Sequence, residues 1–204
     1  MTLGIVFMAS GFGHRFGSNK LLYQIDGKPL YTYALSSLID AMKELNGDNT
    51  INLVVVSQYD EILDTAEQCG SIAVKNNDSE KGITASIKLG IKSLPESEHY
   101  AFFVADQPYL KAETTINFIR SYLESGKTIG CVTDGTVSGN PVIFNRIYLP
   151  ELSALEGDRG GKQVVMKHPV EVFYFEVNSR ELFDLDKPED LNSELSASSD
   201  DMKK

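Results

Sequence analysis

Seven short apolar runs recur along this chain, at 3–9, 51–57, 71–75, 100–105, 129–133, 140–144 and 170–176. Runs of this length read as strands, and several are apolar at consecutive positions, as strands buried on both faces are. Helical spacing fills the gaps between them. Leu30, Ala34, Leu38, Ala41, Met42 and Leu45 share one helix face behind Pro29, a residue suited to a first turn. Ile83, Ile87, Ile91 and Leu94 make a second stripe, and Ile116, Ile119 and Leu123 a third. This alternation predicts a single-domain, Rossmann-like, three-layer α/β/α fold with a mostly parallel central sheet. The domain is expected over 1–192 of the 204 residues. The polar stretch 193–204, SELSASSDDMKK, reads as a disordered tail.

The 19 basic and 29 acidic residues give a formal charge of -10. Nucleic acids and anionic membranes call for a basic footprint, so neither is an expected partner. A single nucleotide needs only a few local cations and is compatible with this balance. Cys69 and Cys131 stand far apart and, with His14, His99 and His168, make no zinc-ligand spacing. They read as small apolar residues of a reduced compartment. The first run has no basic leader and is too short for a membrane span, so a cytoplasmic location is expected.

The first strand leads into Ala9-Ser10-Gly11 and then FGHRFGSNK. Gly11, Gly13 and Gly17 let backbone N–H groups approach an anion, and Arg15 and Lys20 bring positive charge. A strand followed by such a loop is where α/β proteins hold nucleotides. The spacing excludes two familiar motifs: Phe16 stands where a dinucleotide-binding turn needs its third glycine, and Ser18 and Asn19 separate Gly17 from Lys20, unlike a Walker loop.

The segment MASGFGHRFGSNKLLYQIDGKPLYTYAL resembles the signature of the MobA-like nucleotidyltransferases, in which Ala-x-Gly-x-x-x-Arg-x-Gly-x-x-Lys is followed by Gly-x-Pro-Leu. The likeness extends from Leu3 to about Leu191 and is closest to the molybdenum cofactor cytidylyltransferase branch. It implies a fold of the nucleotide-diphospho-sugar transferase type and makes Ala9, Ser10, Gly11, Gly13 and Gly17 nucleotide contacts. Arg15 and Lys20 become catalytic cations. FFVADQPYL puts Asp106 after a strand; the residues alone allow a plain turn or a Mg²⁺ ligand, and the resemblance implies the ligand. Relatives usually carry Met where Gln107 stands.

Three further segments are ambiguous on chemistry alone. Gly82 before Thr84 and Ser86 suits ordinary capping; the resemblance implies that Gly82 and Ser86 line the nucleotide site. Asp186, in DLDKPEDL, suits a helix cap and also a site residue and second metal contact, and the two roles are not exclusive. Asn140-Pro141 and the run Asp158, Arg159 and Lys162 resemble the acceptor side, where the two cations suit a phosphate, although Asp158 also suits a capped turn of its own.

The expectation is a Mg²⁺-dependent nucleotidyltransferase moving CMP from CTP, or another NMP, onto the phosphate of a molybdopterin-type cofactor, with a molybdoenzyme or maturation protein as partner. The acceptor phosphate is already anionic, so positioning and electrostatics suffice without a general base. Lys20→Ala is expected to cost orders of magnitude in turnover and leave folding untouched. Ser10 matches neither the glycine of guanylyl-transferring relatives nor the alanine of cytidylyl-transferring ones. Two alternatives stay open: the same fold acting on a sugar phosphate or methylerythritol phosphate, and a non-catalytic nucleotide-binding module.

Overall fold

The computed structural model describes residues 1–11, 19–47, 50–186 and 190. Strand β1 (Thr2–Ala9) runs through the centre of the sheet, because its residues are buried from both sides. Leu3, Ile5, Phe7 and Ala9 point into one apolar cluster, and Val6 and Met8 into another. The two-residue period of a strand therefore supplies two cores from one apolar run. The same division holds in β4 (Thr50–Ser57) and β6 (His99–Val104), which flank β1 in parallel.

A short hairpin of β2 (Gln24–Ile25) and β3 (Lys28–Pro29) leads into α1 (Leu30–Leu45). Its turn residues Asp26 and Gly27 have φ of 49° and 77°, the left-handed pair such a tight hairpin requires. Helix α1 buries Leu30, Ala34, Leu38, Ala41 and Leu45, while Met42 is only partly covered. Pro29 stands just before the helix, at its cap, and not in its first turn. After β4 come α2 (Asp60–Gln68), β5 (Ile72–Lys75) and α3 (Ile83–Ser93). Beyond β6 follow α4 (Ala112–Glu124), β7 (Ile129–Thr133), β8 (Ser138–Asn145), α5 (Leu149–Ser153), α6 (Lys162–Lys167) and β9 (Val172–Glu176).

The sheet order is β5-β4-β1-β6-β8-β7-β9. Only β8 runs against its neighbours, pairing antiparallel with β6 and β7, so the mostly parallel three-layer arrangement expected from the pattern is what forms. Helices α1 and α4 lie in contact with each other, and α3 packs against β1 and β4 and beside α5. The reversal of β8 has a positional consequence: its beginning, Ser138 to Asn140, reaches the edge where β1 and β6 end. Among the described residues no helix is long and apolar enough to cross a membrane. Cys69 is exposed and Cys131 buried, and both thiols are free.

Candidate functional site

The end of β1 is held by side chains from the end of β4. Ser57 Oγ donates to Ala9 O at 2.8 Å, and Gln58 Nε2 donates to Ser10 O at 2.8 Å. Tyr59 OH donates to Gly11 O at 3.0 Å. Burial pushes the Tyr59 phenol up, so it remains a donor. Three successive carbonyls are thus fixed at the point where the glycine loop begins. Gly13, Arg15, Phe16 and Gly17 lie outside the described residues. Ser10 is buried and its Oγ donates to Val56 O at 3.2 Å, so its hydroxyl proton is committed to β4. If the clamp positions the loop, Tyr59→Phe is expected to raise the KM for nucleoside triphosphate about 2- to 10-fold, the worth of one hydrogen bond. Its kcat should stay within about twofold, because the phenol reaches only backbone; a steady-state KM and kcat measurement checks this.

Lys20 follows at the start of a 3-10 turn, Lys20–Leu22, capped by Asn19 Oδ1 accepting from Leu21 N at 3.0 Å. The other amide atom of Asn19, Nδ2, is a buried donor with no partner among the described residues. The Lys20 side chain is 10% exposed, and its Nζ lies 2.8 Å from Asp106 Oδ2 and 2.9 Å from Asp186 Oδ1. Burial alone would lower its pKa, but the two carboxylates, Asp106 foremost, outweigh burial and hold the ammonium above the ordinary lysine value. Lys20 therefore stays charged, and it is a structural counterion as well as a site cation. The expectation that its removal leaves folding untouched is corrected by this burial.

Asp106 sits two residues past the end of β6, and Asp186 arrives from the last described stretch of chain. The Asp186 carboxylate meets Lys20, and its backbone N–H donates to Asp190 Oδ2 at 3.0 Å; the cap reading concerns residues 187–189, which lie outside the described residues. Sequence reasoning missed a third acid. Asp184 Oδ1 accepts from Gln107 Nε2 at 2.9 Å, and burial followed by the nearby Asp106 charge pushes its carboxyl up to about 6. Gln107, which replaces the usual methionine, is itself buried and is used to hold this acid. The signal was present as the paired acids of DLD, of which only the second was singled out.

A cavity of about 650 Å³ opens over these groups, a size that suits a nucleotide. Ser10, Gly11, Lys20, Gly82, Ser86 and Asp106, all candidates from the sequence, lie on its wall. Ala9 does not, because strand alternation turns it into the opposite core, and Met8 takes its place on the wall. Ser86 is buried and its Oγ meets Asn76 Nδ2 at 3.1 Å. Gly82 caps α3 with φ of 84° and packs against Gly157 and Asp158.

Asp158 does not cap a turn of its own. Its Oδ1 accepts from Ile83 N at 3.1 Å, capping α3 from the far side of the chain, and Asp158 lines the nucleotide cavity as well as a neighbouring one. That second cavity, of about 480 Å³, has Asn140, Arg159 and Lys162 on a wall shared by polar groups and by apolar ones such as Phe102, Val142 and Phe144. Pro141 is buried in β8 and is not part of the wall. Gln107 and Asp184 lie in this second cavity, on the side of Asp106. Cys131 also lines it, with burial pushing its thiol up to about 11, so the group is inert at neutral pH. The site thus comprises two adjoining cavities that share Met8, Ile83 and Asp158.

Among the described residues, no three His, Cys, Asp or Glu side chains converge as a metal cage. Asp106 and Asp186 do converge on one cation, the Lys20 ammonium, at hydrogen-bond distances of 2.8 and 2.9 Å. Two carboxylates, with phosphate oxygens and water completing the shell, are what a magnesium ion typically takes.

Comparison with known proteins agrees with this geometry. A probable molybdenum cofactor guanylyltransferase of Thermococcus gammatolerans is 33% identical over 129 residues, which cover 61% of this chain and 59% of that protein. The match therefore spans about three-fifths of the length of that curated relative. Among solved structures, Rv0371c from Mycobacterium tuberculosis H37Rv superposes with a TM-score of 0.76 at 20% identity, covering 95% of this chain and 97% of that one. A nucleotidyl transferase from Methanothermobacter gives 0.75 at 18% identity, covering 95% of each chain. The model of the MobA-like NTP transferase domain matches residues 5–172, a span that contains Lys20, Asp106 and the described wall of the first cavity, and the chain belongs to the MobA-like NTP transferase family.

Proposed function

We propose that this chain transfers a nucleotidyl group from a nucleoside triphosphate to the phosphate of a small acceptor of molybdopterin type, releasing pyrophosphate. The observation that carries the reading is the meeting of Lys20, Asp106 and Asp186 beneath one cavity, with a second, cation-bearing cavity beside it. Lys20, the loop amides and Arg15 neutralise the triphosphate, and Arg159 and Lys162 hold the acceptor phosphate. Asp106 and Asp186 are the residues that hold Mg²⁺, which when bound offsets charge on the phosphates. A structure of Rv0371c in complex with manganese, superposing at a TM-score of 0.72, is in keeping with a divalent cation in this fold. The acceptor phosphate needs no general base, so the side chains position the reacting groups and stabilise charge.

CTP is the proposed donor, because the segments around Asn140 and Asp158 follow the cytidylyl branch. GTP is the second reading, favoured by the name of the Thermococcus relative. Ser10 does not arbitrate through its proton, which Val56 O accepts. Thermal-shift measurement with CTP, GTP, ATP and UTP plus Mg²⁺ separates the two. The donor should stabilise the fold by about 2.7 kcal/mol at 100 times its Kd, and so raise the melting temperature with concentration. Pyrophosphate release with that nucleotide and a molybdopterin acceptor then tests transfer itself. Stabilisation without release would leave only a nucleotide-binding module.

A further inference from the structure

We propose that the Lys20 ammonium occupies the cation position between Asp106 and Asp186 in the nucleotide-free chain, so that a divalent ion gains this site only when an incoming triphosphate draws Lys20 away. The inference rests on the cation site proposed above, and not on which nucleotide or acceptor is used.

The two carboxylates approach one nitrogen, at 2.8 and 2.9 Å, and do so from distant parts of the chain. Lys20 is buried and Asp106 is mostly so, with 23% of its side chain exposed, which limits screening between these charges. A dipositive ion ligated by the same oxygens would lie within a few ångströms of the ammonium, and the two cations would repel strongly. One of them must leave. Among the described residues no third carboxylate forms an ion pair with Lys20, so the ammonium, held by both acids, is the better competitor in the nucleotide-free site. A triphosphate changes the balance: it offers Lys20 a dense anion within the same cavity, and a lysine stem is long and mobile enough to turn to it. The vacated carboxylates of Asp106 and Asp186 then offer their oxygens to a divalent ion, the natural replacement for the departed cation. Each state keeps the acids neutralised. Nucleotide and metal should consequently load together, with no stable complex of metal alone.

Binding of Mn²⁺ to the full chain without nucleotide, followed by the electron paramagnetic resonance of the free ion, tests this directly. The unsubstituted chain should bind weakly. Lys20→Met should bind at least about tenfold more tightly, and Lys20→Arg, which keeps the charge, should bind as weakly as the unsubstituted chain. Adding Asp106→Asn to Lys20→Met should remove the gain. Unchanged or weaker binding by a folded Lys20→Met overturns the exchange. A gain that survives Asp106→Asn overturns the cation site itself, which is a different failure. Should Lys20→Met not fold, side-chain ¹⁵N resonances of lysine in the unsubstituted chain serve instead. Mg²⁺ alone should leave the Lys20 signal in place, and Mg²⁺ with a non-hydrolysable triphosphate should move it. Displacement of the signal by Mg²⁺ alone overturns the proposal.

Discussion

Lys20→Met is expected to lower pyrophosphate release about 10²- to 10³-fold, the usual cost of removing one preorganised charge-stabilising group from a site of this kind. Methionine keeps much of the length of the buried stem, so the loss reports on charge more than on packing. Removing the ammonium also leaves Asp106 and Asp186 facing one another beside Asp184, a repulsion the fold must absorb. A stability loss of about 1–3 kcal/mol follows, below the cost of breaking a fully buried pair because Asp186 keeps 53% of its side chain exposed. The variant should still fold, with a lower melting temperature. Assays belong at a temperature where circular dichroism shows the variant fully folded. Near-normal pyrophosphate release there would sink the catalytic assignment of Lys20.

Gly82→Ala is expected to be the most damaging single-methyl change in the molecule. Its φ of 84° is already costly for a side chain, and a Cβ there would lie 2.2 Å from Asp158 Oδ1 and 2.7 Å from the carbonyl carbon of Gly157. The carboxylate can swing away, but doing so uncaps α3 at Ile83, and the Gly157 backbone has no such freedom. Strain and overlap together should cost about 3 kcal/mol. In a chain of this size that is a fall of roughly 6–12 °C in melting temperature. Gly135→Ala is the control, since Gly135 has φ of 90° with nothing near its added carbon, so it should show the strain alone, about 1 kcal/mol. Equal losses for the two variants would show that the contact with Gly157 and Asp158 is unimportant.

The sheet was legible in the sequence because its strands are apolar on both faces: Phe7 and Val55 serve one core while Val6 and Val54 serve the other. Helix α2 was not, because it buries only Ile62 and Ala66, too few to make a stripe. The β2–β3 hairpin could have been read from Asp26-Gly27, a dipeptide made for tight turns. At the site, Lys20 and Asp106 were readable as a loop cation and a strand-end acid. Their direct pairing was not, since it depends on how closely the ends of β1 and β6 bring two residues far apart in sequence. Asp158 shows the same limit: local pattern offers a cap for its own turn, while the fold sends the carboxylate to α3. Gln58 and Tyr59 carried no signal, because their work is done by reaching backbone carbonyls of another strand.

The reversed strand β8 divides the molecule in chain order as well as in space. Apart from Asp158, every residue lining the nucleotide cavity precedes Gln107, whereas most of the acceptor wall comes from Cys131 onward. Among the described residues the two cavity walls thus come from two largely separate stretches of polypeptide that meet at Met8, Ile83 and Asp158. On the proposed function, exchanging the second stretch should alter acceptor preference and leave the triphosphate side intact. A chimera made by joining chains between α4 and β7 need preserve only the Asp158 cap, and the Asp184 and Asp186 acids, to keep the first half working.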